Sequence, residues 1–193
     1  MTSRQHKFKE IILASKSPRR AELLKKHGVP FVVCVSDADE LTSCANLPEL
    51  PVLNAELKCA AVADIHPGKT VVGADTVIFF ENMILGKPAD EKDAVRMLKL
   101  LSGKTHQVIT GCAVICRTGN FIRKFKCVSN VKFRTLDDEK IKSYISKVNV
   151  LDKAGAYAIQ EYGDDIIQEY SGSLDNIIGL PVDELCEVLA EIQ

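Results

Sequence analysis

Strands and helices alternate irregularly along this chain, with hairpins in the middle, and that order predicts a mixed α/β fold on a mixed sheet. Three features point there. A short apolar run at residues 10–14 passes directly into a capped helix at Pro18. Two long strand-type runs, 105–117 and 121–134, are separated only by Thr118-Gly119-Asn120. An apolar helix closes the chain. No internal repeat, low-complexity tract or linker divides the 193 residues, so one compact unit over residues 1–193 is expected.

Each element has its own signal. The first strand breaks at Ser15-Lys16-Ser17. Ser17 suits an N-cap, Pro18 the first helical position and Gly28 the residue past the helix end. Residues 31–35 form a second strand, followed by an acidic, irregular stretch around Asp37, Asp39 and Glu40. Residues 53–63 read as a helix with Leu53, Leu57 and Ala60 on one face. Residues 70–73 make a strand, and 76–80 with 83–85 make a hairpin turning at Glu81-Asn82. Asp90 caps an amphipathic helix with Ala94, Met97, Leu98 and Leu101 at helical spacing, and Gly103 closes it. Residues 137–147 are a surface helix and 163–170 a strand; 181–192 form a terminal helix with Pro181 at its first position.

Composition narrows the function. Hydrophobic residues make up 46% and charged residues 26%, which is globular usage rather than that of a disordered tail. Lys+Arg is 25 against Asp+Glu 26, a formal net charge of -1, so the basic excess of a general nucleic-acid binder is missing. No apolar run approaches the ~20 residues that span a bilayer, so no membrane partner is expected. The polar start at residues 1–10 lacks an apolar signal-peptide core, and the cytosol is the expected location. Seven cysteines, mostly within apolar stretches, read as reduced and mostly buried small hydrophobes.

Two segments stand out chemically. Ser15-Lys16-Ser17-Pro18-Arg19-Arg20 lies where a strand becomes a helix, so free backbone N–H groups and the positive helix end face the turn. Hydroxyls and two guanidiniums added there favour an anion site over a plain cap. In Gly73-Ala74-Asp75-Thr76, a carboxylate stands between two apolar strands, which is costly unless it is bonded, paired or bound to metal. It is either a bend residue bonding backbone, or a general base or cation ligand beside phosphates. Weaker signals surround these two. Lys87, in Gly86-Lys87-Pro88, can return to the same neighbourhood. Lys58, in an apolar-leaning helix, reads as a snorkelling lysine. Residues 152–160 are rich in small side chains that let a backbone approach a flat ligand, with Gln160 offering an amide. Residues 176–181 look structural.

Together these segments resemble the Maf family of nucleoside-triphosphate pyrophosphatases. The likeness rests on Ser15-Lys16-Ser17-Pro18-Arg19-Arg20-Ala21-Glu22-Leu23-Leu24, Gly73-Ala74-Asp75-Thr76-Val77 and Gly86-Lys87-Pro88. It extends through Leu101-Ser102-Gly103-Lys104-Thr105-His106-Gln107-Val108 with Thr110-Gly111, and through residues 152–160 and 176–181. It implies a fold like that of the inosine-triphosphate pyrophosphatases, an elongated mixed sheet with surrounding helices and a cleft between two lobes. It also implies hydrolysis of a nucleoside triphosphate to monophosphate and diphosphate with a divalent cation, Mg²⁺ or Mn²⁺, and it leaves a homodimer open. By the same likeness Asp75 is the proton acceptor. Arg19, Thr76 and Gln160 influence substrate choice, and Ser15, Arg20, Lys58 and Lys87 are polar cleft residues. Asp75 and Glu40 are the implied metal ligands. Glu161 departs from the family, where many relatives carry Gly.

Within the family, the group acting on dTTP and UTP resembles residues 152–160 here, which implies that substrate pair, with modified uridine triphosphates as further substrates. The group acting on 7-methyl-GTP, 5-methyl-UTP and CTP differs in that segment. Gln160 can both donate to and accept from a thymine or uracil edge, and Gly155 and Ala156 leave room for a flat base. The alternatives are that second group, or a nucleotide-binding regulator of cell division.

Overall fold

A computed structural model describes residues 8–192; most of the polar start, residues 1–7, lies outside the described residues. Seven strands make one mixed sheet: β1 (Ile11–Leu13), β2 (Phe31–Val33), β3 (Val71–Phe80), β4 (Met83–Leu85), β5 (Thr105–Cys116), β6 (Phe121–Phe133) and β7 (Ile167–Ser171). Their order is β2-β1-β3-β5-β6-β7, with β4 also pairing β3. The β1 strand runs parallel to β2 and β3 because two helices, α1 (Pro18–Lys26) and α2 (Leu50–Ile65), return the chain between them. All other pairs are antiparallel. The remaining helices are α3 (Glu91–Leu101), α4 (Asp138–Lys147), α5 (Gly163–Ile166), α6 (Leu174–Ile178) and α7 (Val182–Ala190).

The expected break in β3 does not exist. The two expected pieces belong to one ten-residue strand, Val71–Phe80, in which Asp75 pairs with Gly111 of β5. The bend reading of Asp75 is therefore wrong, because its carboxylate finds a cationic partner and the strand can run through it. Strand alternation then sorts the neighbours. Val71 packs with Ala55 and Cys59 of α2, whereas Val72 and Ala74 pack with Leu24 of α1 and Leu185 of α7. Asp75 thus shares a face with α2, and Thr76 points to the side of α1.

The edge of β3 away from β5 is shared by two strands. β1 takes Val71 and Val72, and β4 takes Ile78 to Phe80. Residues 73–77 lie between them with no strand alongside, and the chain of β1 leaves there as Ala14-Ser15 turns into α1. The cleft opens at that gap.

Helix α2 lies unusually close to the sheet. A Cβ on Gly73 would stand 2.3 Å from the Ala55 carbonyl oxygen, and one on Gly111 would stand 2.3 Å from Pro51 C and Val52 N. With no side-chain layer between backbones, only small residues fit on the inner face. The buried face is Ala55, Cys59, Val62 and Ala63, joined by Asn54 and Lys58. Of the expected face of Leu53, Leu57 and Ala60, Leu57 is exposed and the other two are only partly buried. The helix also begins three residues earlier than expected, at Leu50.

Other ends follow their caps. The Asp90 and Asp137 carboxylates accept from the amides of Asp93 and Lys140, at 2.8 Å each. Glu81 and Asn82 both take positive φ, as a tight two-residue hairpin turn requires. Residues 163–170 are not one strand: Gly163-Asp164-Asp165-Ile166 forms the helical turn α5, and only then does β7 begin. Acidic residues at a helix start favour that turn. Pro181 caps α7 rather than opening it. Residues 176–181 include most of α6, a short helix capped by Ser173. Among the cysteines only Cys59 and Cys112 are buried; the other five are intermediate, fewer buried than expected. Burial pushes the Cys59 thiol up to about 12 and raises Cys112 as well, so neither is a ready nucleophile.

Candidate active site

A cavity of about 890 Å³ fills the gap beside β3, the size expected of a small-molecule site. Its walls carry the site residues expected from sequence: Ser15, Arg19 and Arg20 at the α1 turn, Glu40 and Lys58 beside Asp75, and Thr76, Lys87 and Gln160. Gly155 and Ala156, expected to leave room for a base, do not line it, because both are buried and Gly155 packs against Ile78.

Asp75 is buried at 9% exposure. Its Oδ1 accepts from Lys58 Nζ at 2.8 Å, and Lys58 Nζ also lies 2.9 Å from Glu40 Oε1. The snorkelling reading of Lys58 is therefore wrong. The lysine is buried because α2 holds it directly over the strand, where two carboxylates satisfy it. Asp75 Oδ2 receives a longer bond, 3.4 Å, from Asn54 Nδ2. Asn54 also accepts from the Leu41 amide at 2.8 Å and donates to the Leu41 carbonyl at 3.1 Å. It thereby pins the loop bearing Glu40 beside Asp75. Sequence reading missed Asn54, although an Asn four residues before Lys58, hence on the same helical face, was a visible signal.

On the other side of β3, Arg20 is half-buried and holds three oxygens, none a carboxylate. Its Nε donates to Gly179 O at 2.8 Å, Nη1 to Ser15 Oγ at 2.9 Å and Nη2 to Thr76 Oγ1 at 3.1 Å. Desolvation lowers the Arg20 pKa, and the nearby Asp75 charge opposes that shift. A guanidinium stays protonated in proteins, and these bonds leave N–H donors over for an anion. Ser15 Oγ also accepts from Ser17 N at 3.2 Å, whereas the Ser17 side chain makes no cap bond. Ser17 is thus the N-cap residue of α1, as expected, but it is its amide, held by Ser15, and not its hydroxyl that is bonded at the turn. Thr76 Oγ1 lies 3.0 Å from Thr110 Oγ1, whose hydroxyl donates to Asn176 O at 3.0 Å. Thr76 is consequently tied into the scaffold that aims Arg20.

Lys87 is exposed on the cavity wall and forms no hydrogen bond or ion pair among the described residues. Gln160 is exposed at a turn on the same cavity. Tyr157 lies below it, bonded to His106 Nε2 at 2.8 Å. No group of three His, Cys, Asp or Glu among the described residues converges as a metal cage. Asp75 and Glu40 do converge on one ammonium, and one or two carboxylates completed by phosphate oxygens and water is the donor set that Mg²⁺ takes.

A mixed α/β sheet with a cation-lined cleft at an unpaired strand edge defines a protein built to receive an anionic small molecule. The chain belongs to the Maf-like protein family, which it matches over residues 10–192. It is 46% identical over 180 residues to the dTTP/UTP pyrophosphatase of Akkermansia muciniphila, covering 93% of this chain and 94% of that one. With the dTTP/UTP pyrophosphatase of Bacillus cereus it shares 42% identity over 187 residues, 95% and 90% of the two chains. The structure of the Staphylococcus aureus Ham1 protein superposes with a TM-score of 0.56 at 17% identity, covering 96% of this chain and all 100% of that one. That likeness is one of fold, and it bears out the architecture expected from sequence. No helix among the described residues is long and apolar enough to cross a membrane.

Proposed function

We propose that the chain is a nucleoside triphosphate pyrophosphatase that hydrolyses dTTP and UTP to the monophosphate and diphosphate. The observation that carries this reading is the pairing, across one strand, of a buried carboxylate with an arginine bound only to neutral oxygens. The first suits proton acceptance, and the second suits phosphate. The relatives named dTTP/UTP pyrophosphatase, alike over nearly the whole chain, support the substrate pair.

The residues divide the work. Arg20, Arg19, Lys87 and the first turn of α1 receive the phosphates, countering a charge near -4 with charge-assisted bonds. Water attacks the α-phosphorus; its oxygen forms the new P–O bond as the bond to the bridging oxygen breaks. Asp75 takes the water's proton, and the diphosphate departs with the bridging oxygen, stabilised by the cations. Lys58 and Asn54 fix the Asp75 carboxylate, and Gln160 reads the base edge. Asp75 and Glu40 would hold a divalent cation, Mg²⁺ or Mn²⁺, which polarises the phosphoryl oxygens. In this reading one lobe is built on two hydrophobic clusters, one under α1 and α7 and one under α2, the other lobe on the cluster of α3 and α4, with the cleft between. A cytoplasmic site of action fits the seven unpaired cysteines.

The test is to incubate purified protein and Mg²⁺ with dTTP, UTP, CTP, ATP, GTP and 7-methyl-GTP separately, measuring diphosphate and kcat/KM. Diphosphate is expected, with dTTP and UTP preferred. Preference for CTP or 7-methyl-GTP overturns the substrate assignment. Orthophosphate in place of diphosphate overturns attack at the α-phosphorus. Nucleotide binding without hydrolysis turns the reading to a regulator.

A further inference from the structure

Gln160 stands on a turn that is pinned at both ends from behind. The turn is closed by the Glu161 amide, which donates to Ala158 O at 3.3 Å. Before it, Ala158 is held by Tyr144 of α4. The Ala158 amide donates to the Tyr144 hydroxyl at 3.1 Å, and that hydroxyl lies 3.4 Å from the Ala158 carbonyl. After it, Glu161 Oε1 lies 3.2 Å from Lys153 Nζ. Lys153 is buried at 3% exposure, and its ammonium also donates to Asn149 O at 2.7 Å and Asp152 Oδ1 at 2.8 Å. Two hydrogen bonds and the ion pair to Glu161 supply the oxygens that a desolvated lysine needs.

One ammonium therefore fastens the beginning of this loop to its end. The backbone between them would not hold its shape unaided. Gly155 and Ala156 have φ of +68° and +63°, and for a buried alanine the left-handed region costs about 1 kcal/mol. Strain of this kind persists where the surroundings over-determine it. Neither Lys153 nor Glu161 lines the cavity, so neither meets a ligand there.

We propose that Lys153 and Glu161 form a clasp particular to this chain, which steadies the direction of the Gln160 amide and so sharpens the choice of base in the cleft. Both are positioning residues acting through Gln160, and the inference rests on the cleft being a nucleoside triphosphate site. Loosening the clasp at Glu161 leaves the hydrogen bonds of Asp75 and Arg20 untouched, since neither clasp residue bonds to them. It follows that binding and base choice change while the chemical step does not.

The experiment compares kcat and KM for dTTP, UTP and CTP in the wild-type protein, Glu161→Ala and Glu161→Gln. Glu161 is the half-buried end of the clasp, and without it Lys153 keeps two oxygens, so the fold is retained. In Glu161→Ala the ratio of kcat/KM for dTTP over CTP falls about tenfold, through KM, with kcat within about twofold, because a misplaced positioning group costs at least this much. Glu161→Gln keeps an oxygen for Lys153 and restores most of the ratio. An unchanged ratio in Glu161→Ala, or an equal loss in Glu161→Gln, overturns the clasp. A wild-type protein that hydrolyses none of the three, or does not prefer dTTP and UTP over CTP, overturns the underlying reading, and the clasp with it. The wild-type data alone thus separate the two failures.

Discussion

Asp75 meets a lysine on one oxygen and an asparagine amide on the other, so its direction is set before any ligand arrives. Asp75→Asn keeps that shape and removes proton acceptance. Lys58 would still have Glu40 at 2.9 Å, so the buried ammonium is not abandoned. The expected result is a fall in kcat of at least ~10²-fold, the usual span for losing a general base, with little change in nucleotide affinity. Steady-state kinetics with calorimetric titration of the nucleotide checks both halves; near-normal turnover in a folded variant would remove Asp75 from catalysis. Asp75 was conspicuous in sequence because an isolated carboxylate between apolar runs demands a partner. Which partner was not visible. Lys58 and Asn54 each look like ordinary helix residues until the helix face is known, and the resemblance alone placed Lys58 in the cleft.

At the scale of elements, α2 explains the error about its own face. Amphipathic reasoning assigns the largest apolar residues to the core, which presumes a side-chain layer between helix and sheet. Gly73 and Gly111 remove that layer, and Leu57 turns outward. Both glycines lie in segments the sequence singled out, yet nothing local says that a helix 15 to 60 residues away rests on them. Gly111→Ala tests the arrangement. Its Cβ would meet backbone atoms of Pro51 and Val52 at 2.3 Å, and no side-chain rotation can relieve that. The expected cost is about 3 kcal/mol, the upper end of overpacking. Activity should fall as well, since the displaced helix carries Lys58. Urea unfolding and kcat below the melting range measure the two effects, and a variant with wild-type stability would mean that α2 does not depend on this contact.

The whole molecule depends on a buried histidine that the proposed chemistry does not use. His106, Phe133 and Tyr157 pack edge to face, with ring centroids 4.9 to 5.4 Å apart. Desolvation pushes the His106 pKa down to about 4. Between about pH 6.5 and pH 4 the unfolded chain therefore binds a proton that the folded core resists, and stability falls as pH drops through that window. The effect attributable to His106 is about 3 kcal/mol. Urea unfolding of wild type and His106→Gln from about pH 7.5 to 4.5 should give curves that converge toward acid; parallel curves would rule out this source of acid sensitivity. The overall plan was legible in sequence wherever caps, tight turns and alternation are local: α1, α3, the β5–β6 hairpin and the turn after β3. The cleft was not, because it is made by two strands sharing one edge of β3, and pairing between distant segments leaves no local mark.

One strand delivers Asp75 to one face of the sheet and Thr76 to the other, while the carbonyls and amides of β3 stay in register with β5. Gly73 aside, whose Cβ would meet the Ala55 carbonyl oxygen, apolar substitutions beside these two residues can be absorbed by repacking, but the count of residues cannot change. Deleting or inserting a single residue between Val72 and Asp75 would swing the carboxylate to the arginine side and bring a neighbour to face Lys58. In β3, then, length is as strict a requirement as identity: the carboxylate and the hydroxyl keep their separate faces only while the spacing is kept.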